Sequence, residues 1–436
     1  MKRTISAIWV ASVALGALSV SETPSKAESL SQLIPQLLAT HDRVQAGKSD
    51  LDASRERIRE TRGRWFPELN VSGHYGYENI NKTPGTPDTS QPSRVLDASI
   101  TQLLWDGGAA NAAVRNSELN KILAEQQLES TRQDLALEGI TAFINVIRAR
   151  EVLDFAIESE ENIKKQTDLE NALVERGAGL STDVLQAKRD LALAENRRVE
   201  AETQLLVARN AYRRIFGTDV ANVETLQKPK LPTDLLPGSS DEAVRIAIVE
   251  NPKLAAAQTE TLVRTEQARA ARATGFFPRF DAVAERRLRR DDDGLIGTRV
   301  ETIAKVQMNF PFNLGLTSIN TLNAAEDDTM ASRHRAGEQR DRVEEATRNA
   351  WDNLESAKLK HGILTNQTNL ASEFLTLARR ERQLGNRSLI DVLQGETELI
   401  NAISDAAAAE ADVAIQFYTL LNAMGRLTEK TIVNGS

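Results

Sequence analysis

The same signals occur twice in the same order, about 210 residues apart, and each copy changes its hydrophobic period midway. Trp65-Phe66-Pro67 ends a polar, arginine-rich helical stretch and opens a strand, and Phe276-Phe277-Pro278 repeats this in the second half. Leu104-Trp105-Asp106-Gly107-Gly108 closes the next strand and starts a long helix, answered by Pro311-Phe312-Asn313-Leu314-Gly315. Asp183-Val184-Leu185-Gln186 is matched by Asp391-Val392-Leu393-Gln394. Each copy therefore reads as helix, two strands, very long helix, turn, helix. Helices too long for a globular core, written twice, point to a tube of repeated hairpins rather than to an enzyme.

The long helices carry their own pairing code. From Gly108 to Arg176 there is no proline, and a helix there spans roughly 100 Å at 1.5 Å per residue. The stretch from Leu316 to Leu384 is also proline-free. After Gly177 the positions Val184, Ala187, Leu191, Ala194, Arg198, Ala201, Leu205, Ala208, Tyr212 and Ile215 alternate steps of three and four. Val392, Gly395, Leu399, Ala402, Ala406, Ala409, Val413, Gln416, Leu420 and Ala423 repeat that register. A sustained heptad keeps one seam facing a partner helix. Alanine at Ala187, Ala194, Ala402, Ala406 and Ala409 lets the helix axes approach closely. Gly177 to Ser181 and Gly385 to Ser388 supply the reversals, with glycine ending one helix and Ser or Thr capping the next.

The strands alternate over about ten residues. Leu69, Val71, Gly73, Tyr75 and Tyr77 share one face, as do Leu96, Ala98 and Ile100, and Val300, Thr302, Ala304, Val306 and Met308. That length and dyad pattern fit outer-membrane barrel strands, with Tyr75 and Tyr77 at a lipid interface. Arg286 shares the face of Phe280, Ala282 and Ala284, and its expected place is the outer rim. Two hairpins give four strands, whereas single-chain bacterial barrels have at least eight. A four-stranded sheet in lipid leaves open edges with unsatisfied backbone groups, so several chains must share one barrel.

Residues 1–27 read as a secretory signal: Lys2 and Arg3, an apolar run from Ile5 to Val20, and a small-x-small site at Ser25-Lys26-Ala27. Its removal takes away three positive charges and one negative, moving the net charge from −8 to −10 and arguing against a nucleic-acid partner. The expected division is 28–235 for the first repeat and 236–436 for the second, joined by a loop from Lys228-Pro229 to Ser240. There is no cysteine, hence no disulfide and no acylated cysteine at the mature N-terminus.

In their duplicated order, the strand starts, the Leu-Trp-Asp-Gly-Gly exit and the Asp-Val-Leu-Gln turns resemble the TolC family of outer-membrane efflux proteins. The resemblance covers essentially the whole mature chain. It implies a mainly α fold with a β-barrel portion: a homotrimer whose twelve-stranded barrel in the outer membrane continues as a twelve-helix tube across the periplasm. It further implies a passive duct, joined through a periplasmic adaptor to an inner-membrane transporter that supplies the energy. The family's inner end is closed by an acidic ring and by links between neighbouring hairpins. Arg387 matches the linking arginine, Asp183 its carboxylate partner, and Asp391 the first of two ring aspartates. Gln394 replaces the second, and Arg382 stands where a linking tyrosine is expected. Asp183 also suits a helix N-terminus on dipole grounds alone.

No phosphate loop, zinc spacing or nucleophile elbow is written into the chain, and no catalytic residue, cofactor or metal is expected. Asp291-Asp292-Asp293-Gly294 lacks the further spaced ligands of a calcium loop and reads as a turn between strands. Members paired with drug pumps are often lipidated, so the missing cysteine leans toward type I protein secretion, with an ABC exporter as transporter. Drug or metal efflux through the same architecture is the second reading. A non-channel periplasmic coiled-coil scaffold is the third.

Overall fold

A computed structural model describes residues 29–177, 179–220, 222–310 and 312–434. The expected signal at 1–27 and Pro311 of the second strand exit lie outside the described residues. The first copy runs α1 (Leu30–Thr40), α2 (Asp42–Gly63), β1 (Glu68–Ile80), β2 (Thr89–Trp105), α3 (Ala109–Glu175) and α4 (Ser181–Phe216). The second runs α5 (Ser240–Glu250), α6 (Pro252–Phe276), β3 (Arg279–Arg290), β4 (Thr298–Asn309), α7 (Thr317–Gln383) and α8 (Leu389–Ala423), followed by α9 (Glu429–Asn434). Both α3 and α7 have 67 residues, about 100 Å of helix each.

The strand-to-helix exits explain their motifs. Both carboxylate oxygens of Asp106 cap α3, accepting from the Gly108 N–H at 3.1 Å and the Ala110 N–H at 2.7 Å. These bonds satisfy backbone donors that the first helical turn leaves without partners. Gly107 has φ +69°, and a Cβ there would lie 2.5 Å from the Phe277 Cβ. Glycine is thus required where the two copies' junctions touch. In the second copy Asn313 accepts from the Gly315 N–H at 2.7 Å, and Leu316 takes the left-handed turn at φ +58°.

α4 pairs with the C-terminal part of α3, and α8 with that of α7, while α2 and α6 pack on the long helices as well. Ala187, Ala194, Ala402 and Ala409 are buried, whereas Ala406 is half-buried. Two hydroxyls measure how close the axes come. Thr167 on α3 donates to the Ala187 carbonyl on α4 at 3.3 Å, and Thr368 on α7 to the Ala402 carbonyl on α8 at 3.0 Å. Such bonds require a small residue on the facing helix. Arg198, the charged seam position, donates through Nε to Glu160 on α3 at 2.6 Å. A larger core lies midway along the helices. There Ile34 and Leu37 of α1 meet Leu135, Ile140 and Phe143 of α3, Tyr212 of α4, Leu354 of α7 and Phe417 and Leu420 of α8.

The sheet is antiparallel in the order β1-β2-β3-β4, so the two copies join at β2 and β3. One face carries exposed Leu69, Val71, Tyr75, Leu96, Ile100, Val300 and Val306. The opposite face is charged, and there Lys305 bonds Glu285 at 2.9 Å. Arg286 lies on the apolar face, opposite Ala98 and Thr302, four residues inside the end of β3 rather than at its rim. The Asp291–Gly294 turn closes on itself and on its neighbour. Asp291 accepts from the Gly297 N–H at 2.8 Å, and Asp292 from the Ser93 hydroxyl at 2.7 Å. Among the described residues, no helix is long and apolar enough to cross a membrane.

Candidate functional site at the helix tips

The helices farthest from the sheet end in two tight reversals. Gly177 and Gly385 take φ +76° and +77°, the left-handed conformation that closes a helix. After the second, the Ser388 hydroxyl accepts from the Asp391 N–H at 3.3 Å and caps α8. After the first, Leu180 occupies the capping position and Ser181 is already helical, so the expected Ser cap is absent from α4.

Arg387 sits between two acids. Its Nε donates to Glu381 at 2.6 Å, and a terminal nitrogen lies 4.0 Å from Asp391. Its guanidinium also rests 5.3 Å from the centre of the Phe374 ring. The hydrogen bond to Glu381 holds the Arg387 pKa above its ordinary value. Asp183 is half-buried in the first turn of α4. Within one chain Asp183 and Arg387 do not pair, and Arg387 is engaged by the acids on either side of its own turn. Asp391 is half-buried, and Gln394 is exposed one turn further on.

Two buried carboxylates hold the tips together. Arg382 on α7 donates to Glu170 on α3 at 2.8 Å, and Glu170 is 2% exposed. Arg382 also reaches the Arg387 carbonyl at 3.4 Å, tying that link to the turn. Arg379 bonds Glu396 of α8 through Nε at 3.1 Å, with Glu396 buried. Beneath them, Leu389 and Leu393 of α8 pack on Ile163 of α3 and on Ala187 and Ala194 of α4. The tip is thus a joint between the two hairpins: apolar inside, with charged bonds above. Glu170, Glu381 and Glu396 escaped sequence reasoning. The available signal was a run of arginines in the last turns of α7, which requires carboxylates within reach.

The outer membrane efflux protein family matches residues 33–218 and 243–426, one match in each copy. Outer membrane efflux protein BepC of Brucella suis is 21% identical over 428 residues, covering 96% of this chain and 90% of that protein. Outer membrane protein TolC of Escherichia coli is 23% identical, covering 95% and 86% respectively. Alkaline protease secretion protein AprF of Pseudomonas aeruginosa is 23% identical, covering 86% and 80%. The crystal structure of the outer membrane protein VceC from Vibrio cholerae superimposes with a TM-score of 0.78 at 15% identity, covering 91% of this chain and 96% of that one.

Proposed function

This chain belongs to the outer membrane efflux protein family, and on that premise we propose that three copies form one passive duct for type I protein secretion. The family consists of outer-membrane channels that extend into the periplasm. The observation that carries the reading is the sheet itself. β1 and β4 are both free along one edge, and the apolar face is exposed. Closing those edges in lipid requires other copies, and three give twelve strands. The helical hairpins of three copies then line a common tube whose inner mouth is ringed by the α3–α4 and α7–α8 turns.

In this assembly the cargo passes along the charged inner face of the sheet, and the protein supplies no energy. An inner-membrane ABC exporter does so through a periplasmic adaptor. Asp183 of one copy meets Arg387 of the next around the mouth, and three Asp391 carboxylates favour cations there. Adaptor binding shifts the mouth from closed to open by favouring the second state. The name of AprF supports protein cargo, and the name of BepC supports efflux as the second reading. Native mass measurement in detergent is expected to give three chains, and fractionation to place them in the outer membrane. Deletion of the gene is expected to remove proteins from the culture medium while leaving drug and metal susceptibility unchanged. The reverse pattern selects efflux, and release into the soluble periplasm selects a scaffold.

A further inference from the structure

The strand register sorts the charges of the sheet with unusual completeness. The apolar face takes the odd positions of β1 and β4's even ones, with the even positions of β2 and β3 between them. On that face there is no Asp, Glu or Lys. It does carry Arg94, Arg286 and Arg290, all exposed. The carboxylates of the four strands, Glu68 and Glu78, Asp97 and Asp281, Glu285 and Glu301, all fall on the opposite face.

Arg94 and Arg290 are direct cross-strand partners in the β2–β3 ladder. Their Cα atoms are about 5 Å apart, and like charges so placed repel. Arg94 has no carboxylate partner among the described residues. It lies 5.5 Å over the Tyr75 ring, while Arg290 pairs with the neighbouring Asp291 at 3.6 Å and remains 61% exposed, open to a further anion. Arg286 makes no ion pair among the described residues. It stands two ladder steps below on β3, opposite the Thr302 backbone.

Their height on the sheet identifies what they meet. Trp105, Phe277 and Phe280 form an aromatic group at the helix end of the sheet, with ring centres 6.0 Å apart. From Phe280 to Arg290 is ten residues along β3, about 33 Å of strand. At a tilt of about 40° this spans about 25 Å, the height of the apolar band of a membrane barrel. The helices join at the Phe280 end, so the Tyr75–Arg94–Arg290 row lies at the outer-leaflet interface. Arg286 lies inside the band, from which a long side chain extends toward the same interface.

We propose that Arg94, Arg290 and Arg286 bind the phosphate groups of a phosphorylated glycolipid in the outer leaflet, one site per chain. A guanidinium donates two parallel bonds to phosphate, and a shared anion turns the Arg94–Arg290 repulsion into attraction. Tyr75 orients Arg94, and the Leu96–Leu288 pair between the two arginine levels packs on an acyl chain. The proposal rests on the outer-membrane placement and is independent of cargo.

The test uses the full-length protein in detergent, after fractionation has established its membrane. Native mass spectrometry is run with diphosphoryl lipid A, with the same lipid dephosphorylated, and with phosphatidylcholine. Retention of diphosphoryl lipid A is expected to exceed that of the other two at least tenfold. R94Q/R290Q is expected to remove most of that difference, and R286Q to reduce it severalfold. R299Q, on the opposite face, is expected to leave it unchanged. R94K/R290K keeps the charge and loses the bidentate geometry, so partial retention is expected. Equal retention of the phosphorylated and dephosphorylated lipids by the unmodified protein would overturn the proposal whether or not any variant folds. So would unaltered retention by R94Q/R290Q. Complete displacement by 10 mM inorganic phosphate, with the same ion raising the melting temperature as much as the lipid, would reassign the site to free phosphate. Failure to fractionate with the outer membrane instead defeats the placement on which the site depends.

Discussion

Arg382 reaches from α7 to Glu170 on α3 and bonds a carboxylate that is 2% exposed. The two residues belong to different hairpins and lie 212 positions apart. Most carboxylates on these helices face solvent, where a neutral substitution is nearly free. This one depends on its cation, because a buried charge without a partner is costly.

Arg382→Leu is therefore expected to cost about 1–3 kcal/mol. The companion change Glu170→Leu in the same protein should recover much of it, since an apolar pair replaces a buried ion pair at little cost. Thermal melts of the solubilised protein read both. In planar bilayers Arg382→Leu should also raise conductance if the tips form the mouth. A single variant as stable as the parent would show that Glu170 is not held by Arg382.

Arg387→Ser removes the contacts to Glu381 and Asp391 from the α7–α8 turn. The expected outcome is a larger single-channel conductance with normal assembly. Asp391→Ala is expected to lower cation selectivity and weaken block by multivalent cations, and Asp183→Asn to resemble Arg387→Ser. Recordings beside the parent decide each, and unaltered traces would remove these residues from the gate.

Ala402 is 1% exposed beneath the Thr368 hydroxyl, while Ala406 is half-buried. Ala402→Leu should force α7 and α8 apart and cost about 1–3 kcal/mol. Ala406→Leu should cost clearly less. Equal melting temperatures for the two variants would contradict the difference in burial between these positions.

Acid should loosen the middle of the helical region. A hydrogen bond from Arg43 holds the Glu138 carboxyl below its usual range, and one from Arg426 does the same for Glu250. Between the folded and unfolded pKa values the unfolded chain binds more protons, so stability rises with pH. The contribution is complete above the ordinary glutamate value of 4.5. It is lost as pH falls through the lower folded values. Melting temperatures from pH 7 down to 3 should drop across that window. Glu138→Gln and Glu250→Gln should each flatten the drop.

What could be read before the structure was what repeats with a period. The heptad positions of α4 and α8 and the alternating faces of β1 and β4 follow from spacing alone, because burial acts on every third or fourth residue in one case and every second in the other. The strand exits were also legible, since Asp106 and Gly107 mark a cap and a left-handed turn locally. What escaped depends on distance in space. Nothing near Glu170 announces Arg382, and Arg387 chooses Glu381 over more remote acids because the Gly385 turn folds the chain back on itself. The depth of Arg286 required the register of three strands at once. Leu180 takes the place of the expected serine cap because Ser181 is itself the first helical residue of α4.

The equal arms of the two copies leave no slack. α3 and α7 match at 67 residues, and α4 and α8 differ by one, at 36 and 35. One inserted residue turns everything beyond it by about 100° and swings an alanine seam away from its partner. Only whole heptads preserve the seam, and each adds about 10 Å. An extra heptad in one hairpin alone would leave its turn overhanging the other. The reach of this protein therefore changes only in fixed steps taken by four helices together, and neither half of the duplication is free to evolve its length without the other.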